Sequence, residues 1–105
     1  MIILDPDRDG CTVWLINSGV TKNKNKVTRI KGETVEEICK SLIDRLTRYE
    51  SIQNQWGNWV NTLVWKDYMY LDISAMGRGY KHIFEHYGLP VFDISPGSPN
   101  NIIPI

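Results

Sequence analysis

The sequence carries no excess of charge. Twelve basic side chains stand against twelve acidic ones, so the broad field that would capture nucleic acid, or imitate it, is missing. No apolar run approaches a membrane span, and no membrane partner is expected. Cysteine is scarce: Cys11 and Cys39 lack a CxxC spacing. The opening Met1-Ile2-Ile3-Leu4-Asp5 reaches a carboxylate too early for a signal peptide. Reduced thiols and a cytoplasmic setting are therefore expected. No acid follows Asp93, and Pro96, Gly97, Pro99 and Pro104 exclude a stable helix from the last eleven residues. No internal repeat or low-complexity linker divides the chain.

What is present suits one domain over residues 1–105. Apolar residues make up 42% and charged residues 23%, the ordinary range of a globular chain. At this length, folding buries roughly two-thirds of the surface exposed by the unfolded chain.

Ile2–Leu4 is a short branched run ending at the turn-prone Asp5-Pro6-Asp7-Arg8-Asp9-Gly10. Residues 11–16 and 27–31 alternate as strands on either side of a polar hairpin tip. Thr34 and Glu37 form a capping box. Val35, Ile38, Leu42, Leu46 and Tyr49 then place one apolar stripe on a helix of about four turns. In residues 51–66, Trp56, Trp59, Val60 and Leu63 keep helical spacing, but Gly57 and the asparagines weaken it; an inserted short helix or an ordered loop is expected. Residues 68–73 read as a buried strand that delivers Asp72 at its carboxyl end. Tyr80, Ile83, Phe84 and Tyr87 mark a helix stopped by Gly88, and residues 90–94 form a last strand. The expected order is β-β-β-α-(insert)-β-α-β, an α/β chain.

Asp5 and Asp72 each end a predicted strand, and open α/β sheets gather ligands at the carboxyl ends of neighbouring parallel strands. Two carboxylates meeting there suit Mg²⁺ or Mn²⁺, which take oxygen ligands and complete their shells with water or phosphate oxygens. Such ions serve phosphodiester hydrolysis, ideally as a two-metal clamp. Turn-starting and capping aspartates give the same pattern, so both readings stand.

Three other patterns are weaker. Asp5-Pro6-Asp7-Arg8-Asp9-Gly10 opens like a calcium loop, but its twelfth position is Ile16 rather than Glu. His82-Ile83-Phe84-Glu85-His86 is a formal H-x-x-E-H without a downstream helix to supply a third ligand, and solvated helix-end histidines are the better reading. Gly77-Arg78-Gly79 lacks the third glycine of a dinucleotide fingerprint. A tight turn between sheet and helix is expected there, with Arg78 free to touch a phosphate.

Lys22, Lys24, Lys26, Arg29 and Lys31 gather five of the twelve basic residues in ten positions. They form either a solvated hairpin tip or a basic finger that holds DNA through its phosphates. Of the four tryptophans, Trp14, Trp56, Trp59 and Trp65, most suit a core. Trp56 and Trp59 in the insert are the candidates for a protein-partner patch.

Ile3-Leu4-Asp5-Pro6 with Asp9-Gly10-Cys11-Thr12-Val13, Leu71-Asp72-Ile73 with Gly77-Arg78-Gly79-Tyr80, and His86-Tyr87-Gly88-Leu89-Pro90-Val91 together resemble the nuclease domain of phage terminase large subunits. The similarity runs in order over residues 1–98. It implies a ribonuclease H-like mixed sheet of about five strands with helices packed on it, and a metal-dependent endodeoxyribonuclease. By position, Asp5 and Asp72 resemble the first and second catalytic, metal-binding carboxylates, and Asp9 an accessory acid. The family's third carboxylate follows the last strand, where this chain has none. The alternatives are an inactive phage or mobile-element protein that docks on another protein as inhibitor or assembly factor, or one fragment of a split enzyme.

Overall fold

A computed structural model describes residues 1–16, 26–74 and 76–94. Among them the elements are β1 (Ile2–Pro6), β2 (Gly10–Leu15), β3 (Lys26–Lys31), α1 (Val35–Leu46), β4 (Thr47–Gln53), β5 (Trp59–Trp65), β6 (Met69–Asp72), α2 (Gly77–His86) and β7 (Phe92–Ile94). Five of the strands form one mixed sheet in the order β3-β2-β1-β6-β7. The β1–β2 and β2–β3 pairs are antiparallel, while β6 lies parallel to β1 and β7 parallel to β6.

Strand alternation sorts the sheet into two faces. Ile2, Leu4, Cys11, Val13, Ile30, Met69 and Leu71 share one face and are buried. Both helices lie on that face. Helix α1 contributes Ile38, Cys39, Leu42 and Leu46, and α2 contributes Tyr80 and Phe84, to the same core. Fully burying a side chain such as Leu42 is worth about 1.5–3 kcal/mol, and this two-layer core is what anchors the sheet.

Helix α1 starts as its sequence predicts. Thr34 Oγ1 accepts from the Glu37 amide at 3.2 Å, while the Glu37 carboxylate accepts from the Glu33 amide at 3.1 Å. It ends a turn earlier than the apolar stripe implies. Thr47 is already extended, and its hydroxyl donates back to the Ile43 carbonyl. Tyr49, expected on the stripe, is an exposed residue of β4.

The expected insert at 51–66 is neither helix nor loop. It is the β4–β5 hairpin, which begins at Thr47 and pairs along its whole length from Thr47↔Trp65 to Gln53↔Trp59. The Asn54 carboxamide oxygen accepts from the amides of Trp56 and Asn58, and Gly57 takes φ +82° to close the turn. The tryptophans, valines and threonine of β5 favour a pleated strand. Their helical spacing is overridden by cross-strand pairs. At its root, Trp65 Nε1 donates to the Pro90 carbonyl at 2.8 Å, and the indole meets Phe84 edge-on at 5.0 Å. Beyond that root the hairpin leaves the body.

Helix α2 begins hard against the end of β6: a Cβ at Gly77 would stand 1.8 Å from the Asp72 carbonyl oxygen. This is the tight sheet-to-helix turn that the sequence implies. The last strand covers Phe92–Ile94, two residues shorter than expected. Lys22, Lys24 and the tail 95–105 lie outside the described residues. Among those described, no helix is long and apolar enough to cross a membrane.

Candidate cation and nucleic-acid site

The face opposite the helices carries the site. Leu4 pairs with Leu71 in parallel register, so Asp5 and Asp72 come next, side by side, at the carboxyl ends of the two central parallel strands. Across the sheet, Asp5 pairs with Thr12 and Thr12 with Arg29. One row therefore reads Asp72, Asp5, Thr12, Arg29. The row beneath it is Phe92, Tyr70, Ile3, Trp14, Val27, with Ile3 fully buried at its centre. The Tyr70 and Phe92 rings lie 5.2 Å apart.

Each carboxylate is set differently. Asp72 is buried, and its Oδ1 accepts from the Ser74 amide at 2.9 Å and the Ser74 hydroxyl at 2.5 Å, leaving Oδ2 out of that turn. Asp5 is half-buried. Desolvation first, and then the negative charges of Asp72 and Asp7, push its carboxyl above the usual range, with Arg29 pulling the other way. Asp5 thus sits against the negative charge of Asp72, which is the situation a cation relieves.

Asp7 belongs to the turn. Its Oδ1 accepts from the amides of Asp9 and Gly10 at 2.9 and 3.1 Å. Arg29 binds it from both guanidinium nitrogens, holding its carboxyl down at about 2, and also donates to Thr12 Oγ1 at 3.2 Å. This is an Asx-closed β1–β2 turn, not a calcium loop, because Asp5 and Pro6 are strand residues.

The chain matches no protein-family model, no curated protein and no solved structure. The geometry must carry the reading alone. Among the described residues, no three His, Cys, Asp or Glu side chains are arranged to hold a metal ion. Asp5 and Asp72 come together, whereas Asp9, exposed in the turn, does not complete a three-ligand set with them. Asp93 is a neighbour of Leu71 on the helix-covered side, where Lys81 Nζ meets it at 2.8 Å.

Of the described basic residues in the finger, Arg29 and Lys31 share the face of Asp5, and Lys26 alternates to the other. Arg29 is committed to Asp7. Arg78 is exposed on the first turn of α2. His82 and His86 are exposed, as the sequence reading has them, and line a hollow between α1 and α2 with Glu36 and Lys40. Trp56 and Trp59 stand exposed on the hairpin, Trp56 in its turn and Trp59 at the start of β5. Sequence reasoning missed Thr12, Ser74 and the Arg29–Asp7 pair. The Asp7-x-x-Gly10 spacing was the signal for the turn, but nothing local marks its partner 22 residues on.

Proposed function

We propose that this chain is a ribonuclease H-like domain of the terminase-nuclease kind, holding one hydrated divalent cation, Mg²⁺ or Mn²⁺, between Asp5 and Asp72 against a DNA phosphodiester. The observation that carries this reading is the adjacent placement of Asp5 and Asp72 at the ends of β1 and β6. With the β4–β5 hairpin set aside, the element order is β-β-β-α-β-α-β, the order the reading expects.

The donor set suits the ion. Mg²⁺ is commonly held by one or two carboxylates, with waters and phosphate oxygens completing the octahedron. Bound there, the cation would supply charge neutralisation for the phosphate and a lowered pKa for its water. Asp5 and Asp72 hold it, Ser74 fixes the orientation of Asp72, and Lys31 and Arg78 offer phosphate contacts. A two-metal clamp needs a further acid. Asp7 and Asp93 are occupied by Arg29 and Lys81, so DNA and cation binding is the core of the proposal, with any cleavage slow.

Thermal unfolding in the presence of Mn²⁺, together with plasmid nicking, tests it. Ten Kd of ligand stabilises by about 1.4 kcal/mol, so Tm should rise in the wild type and stay fixed in Asp5→Ala and Asp72→Ala. An equal response in all three proteins, with no nicking, would reject the cation site. The exposed tryptophans of the hairpin favour a second reading, a protein-binding module.

A further inference from the structure

Among the described residues the β4–β5 hairpin is a two-stranded sheet with no third strand, and such a ribbon is at best marginally stable in water by itself. Edge strands are normally protected by charge, proline or a bulge. Strand β4 carries Arg48 and Glu50, but β5, Trp59-Val60-Asn61-Thr62-Leu63-Val64-Trp65, has neither charge nor proline. Its free edge is open to pairing.

The ribbon exposes apolar side chains on both of its sides. Trp56 is 76% exposed, Tyr49 73% and Trp59 69%, and Ile52 and Val60 are also exposed. Tyr49 and Trp59 lie on one face of the hairpin and Ile52 and Val60 on the other, with Trp56 in the turn, so pairing at the β5 edge would extend both faces into a broader sheet rather than leave an isolated two-stranded unit.

Strand β5 also reads almost the same in both directions. An antiparallel pair about Thr62 sets Trp59 against Trp65, Val60 against Val64, Asn61 against Leu63, and Thr62 against its own copy. Every pair keeps its face, because the odd-numbered and even-numbered residues of β5 point to opposite sides. A two-fold contact must be self-complementary in this way. A charged partner strand would find no counterion on β5, whereas a second β5 brings no charge to be desolvated.

We propose that the hairpin is a dimerisation arm: two copies pair β5 to β5 about Thr62, forming a four-stranded sheet β4-β5-β5-β4. The arrangement carries Trp56 of each arm towards the root of the other. There Trp65, Tyr68, Pro90 and Phe92, together with the charged Arg48, Glu50, Lys66 and Asp67, line a hollow of about 520 Å³, and Tyr68 and Phe92 are themselves exposed. This contact does not involve Asp5 or Asp72, so it stands or falls separately from the cation site.

Sedimentation of the full chain should give twice the 12.1 kDa monomer mass. Thr62→Lys sets two lysines opposite each other at the axis and should give monomer with an unchanged circular dichroism spectrum. Thr62→Cys, treated with oxidised glutathione, should form a disulfide-linked dimer at least tenfold faster than a Glu33→Cys control; the native Cys11 and Cys39 are buried. A monomer at about 100 µM, a dimer that survives Thr62→Lys, or cross-linking no faster than the control would each overturn the proposal.

Discussion

Arg29 grips both oxygens of Asp7, with Nη1 2.7 Å from Oδ2 and Nη2 2.7 Å from Oδ1. This bidentate pair decides two matters at once: it takes a cation from the expected basic finger, and it engages both oxygens of an acid whose charge reaches Asp5. Replacing Arg29 by alanine should free Asp7 to join the acidic pair. Divalent-cation affinity should then rise roughly 3–10-fold, equivalent to about 0.7–1.4 kcal/mol. The Asp5 carboxyl, which loses a nearby positive charge, should move further up. Calorimetric titration with Mn²⁺ and NMR carboxyl titration read the two effects; a fall in affinity would mean that Arg29 serves the cation site.

The same pair sets an acid limb of stability. Asp7 has its folded pKa at about 2, well below the ordinary carboxylate range, so its contribution is present above about 4 and lost as pH falls towards 2. Wild type and Arg29→Ala should differ in Tm at pH 6 and converge by about pH 2. The pair is exposed and screened, so the gap should shrink in 0.5 M salt. A gap that persists at low pH would place the effect in packing rather than charge.

Asp5 runs the opposite way. Its folded carboxyl is raised by burial and by Asp72, so its ionisation costs stability once pH exceeds its unfolded value. Asp5→Asn should therefore raise Tm at pH 7 by a few degrees, while abolishing any Mn²⁺-induced rise. A variant more stable yet unable to bind is the signature of a group retained for function rather than for folding. A destabilised Asp5→Asn would instead mark Asp5 as a structural residue of the turn.

Gly77→Ala tests how the helix positions the site. The added methyl would meet the Asp72 carbonyl oxygen at 1.8 Å, a backbone collision that only displacement of α2 from β6 relieves. The cost should fall in the overpacking range of about 1–3 kcal/mol, and the Mn²⁺ response should weaken because Asp72 moves with its strand. Gly79→Ala, where a Cβ meets nothing within 4 Å, is the matched control and should be near neutral or stabilising.

The elements that position the site were legible because each has a local cause. Ile2–Leu4 and residues 68–73 are apolar runs that stop at an acid, and Thr34 with Glu37 announces α1. The adjacent Asp5 and Asp72 needed only strand ends to be found. Residues 47–65 were misread because Trp56, Trp59, Val60 and Leu63 satisfy a helical period by accident, while the real organiser, pairing of Thr47–Gln53 with Trp59–Trp65, links residues up to 18 positions apart. Asp93 shows the same limit. Its place inside the last strand does not tell which face it takes, and only the register with Leu71 shows that it faces Lys81 on the helix-covered side.

Phe84 ties the arm to the body and gives the sharpest test of that packing. Its ring is buried, edge-on to Trp65 at 5.0 Å and to Tyr80 at 6.3 Å. Truncation to alanine should cost about 3–5 kcal/mol, a large share of the 5–15 kcal/mol available to a domain. Trp65→Phe keeps an aromatic edge against Phe84 but removes the donor to the Pro90 carbonyl, which is worth about 0.5–1.5 kcal/mol. Urea midpoints should fall slightly in Trp65→Phe and steeply in Phe84→Ala, with little change in slope for the former. If Trp65→Phe were as damaging as Phe84→Ala, the Trp65–Pro90 hydrogen bond rather than ring packing would be what anchors the hairpin.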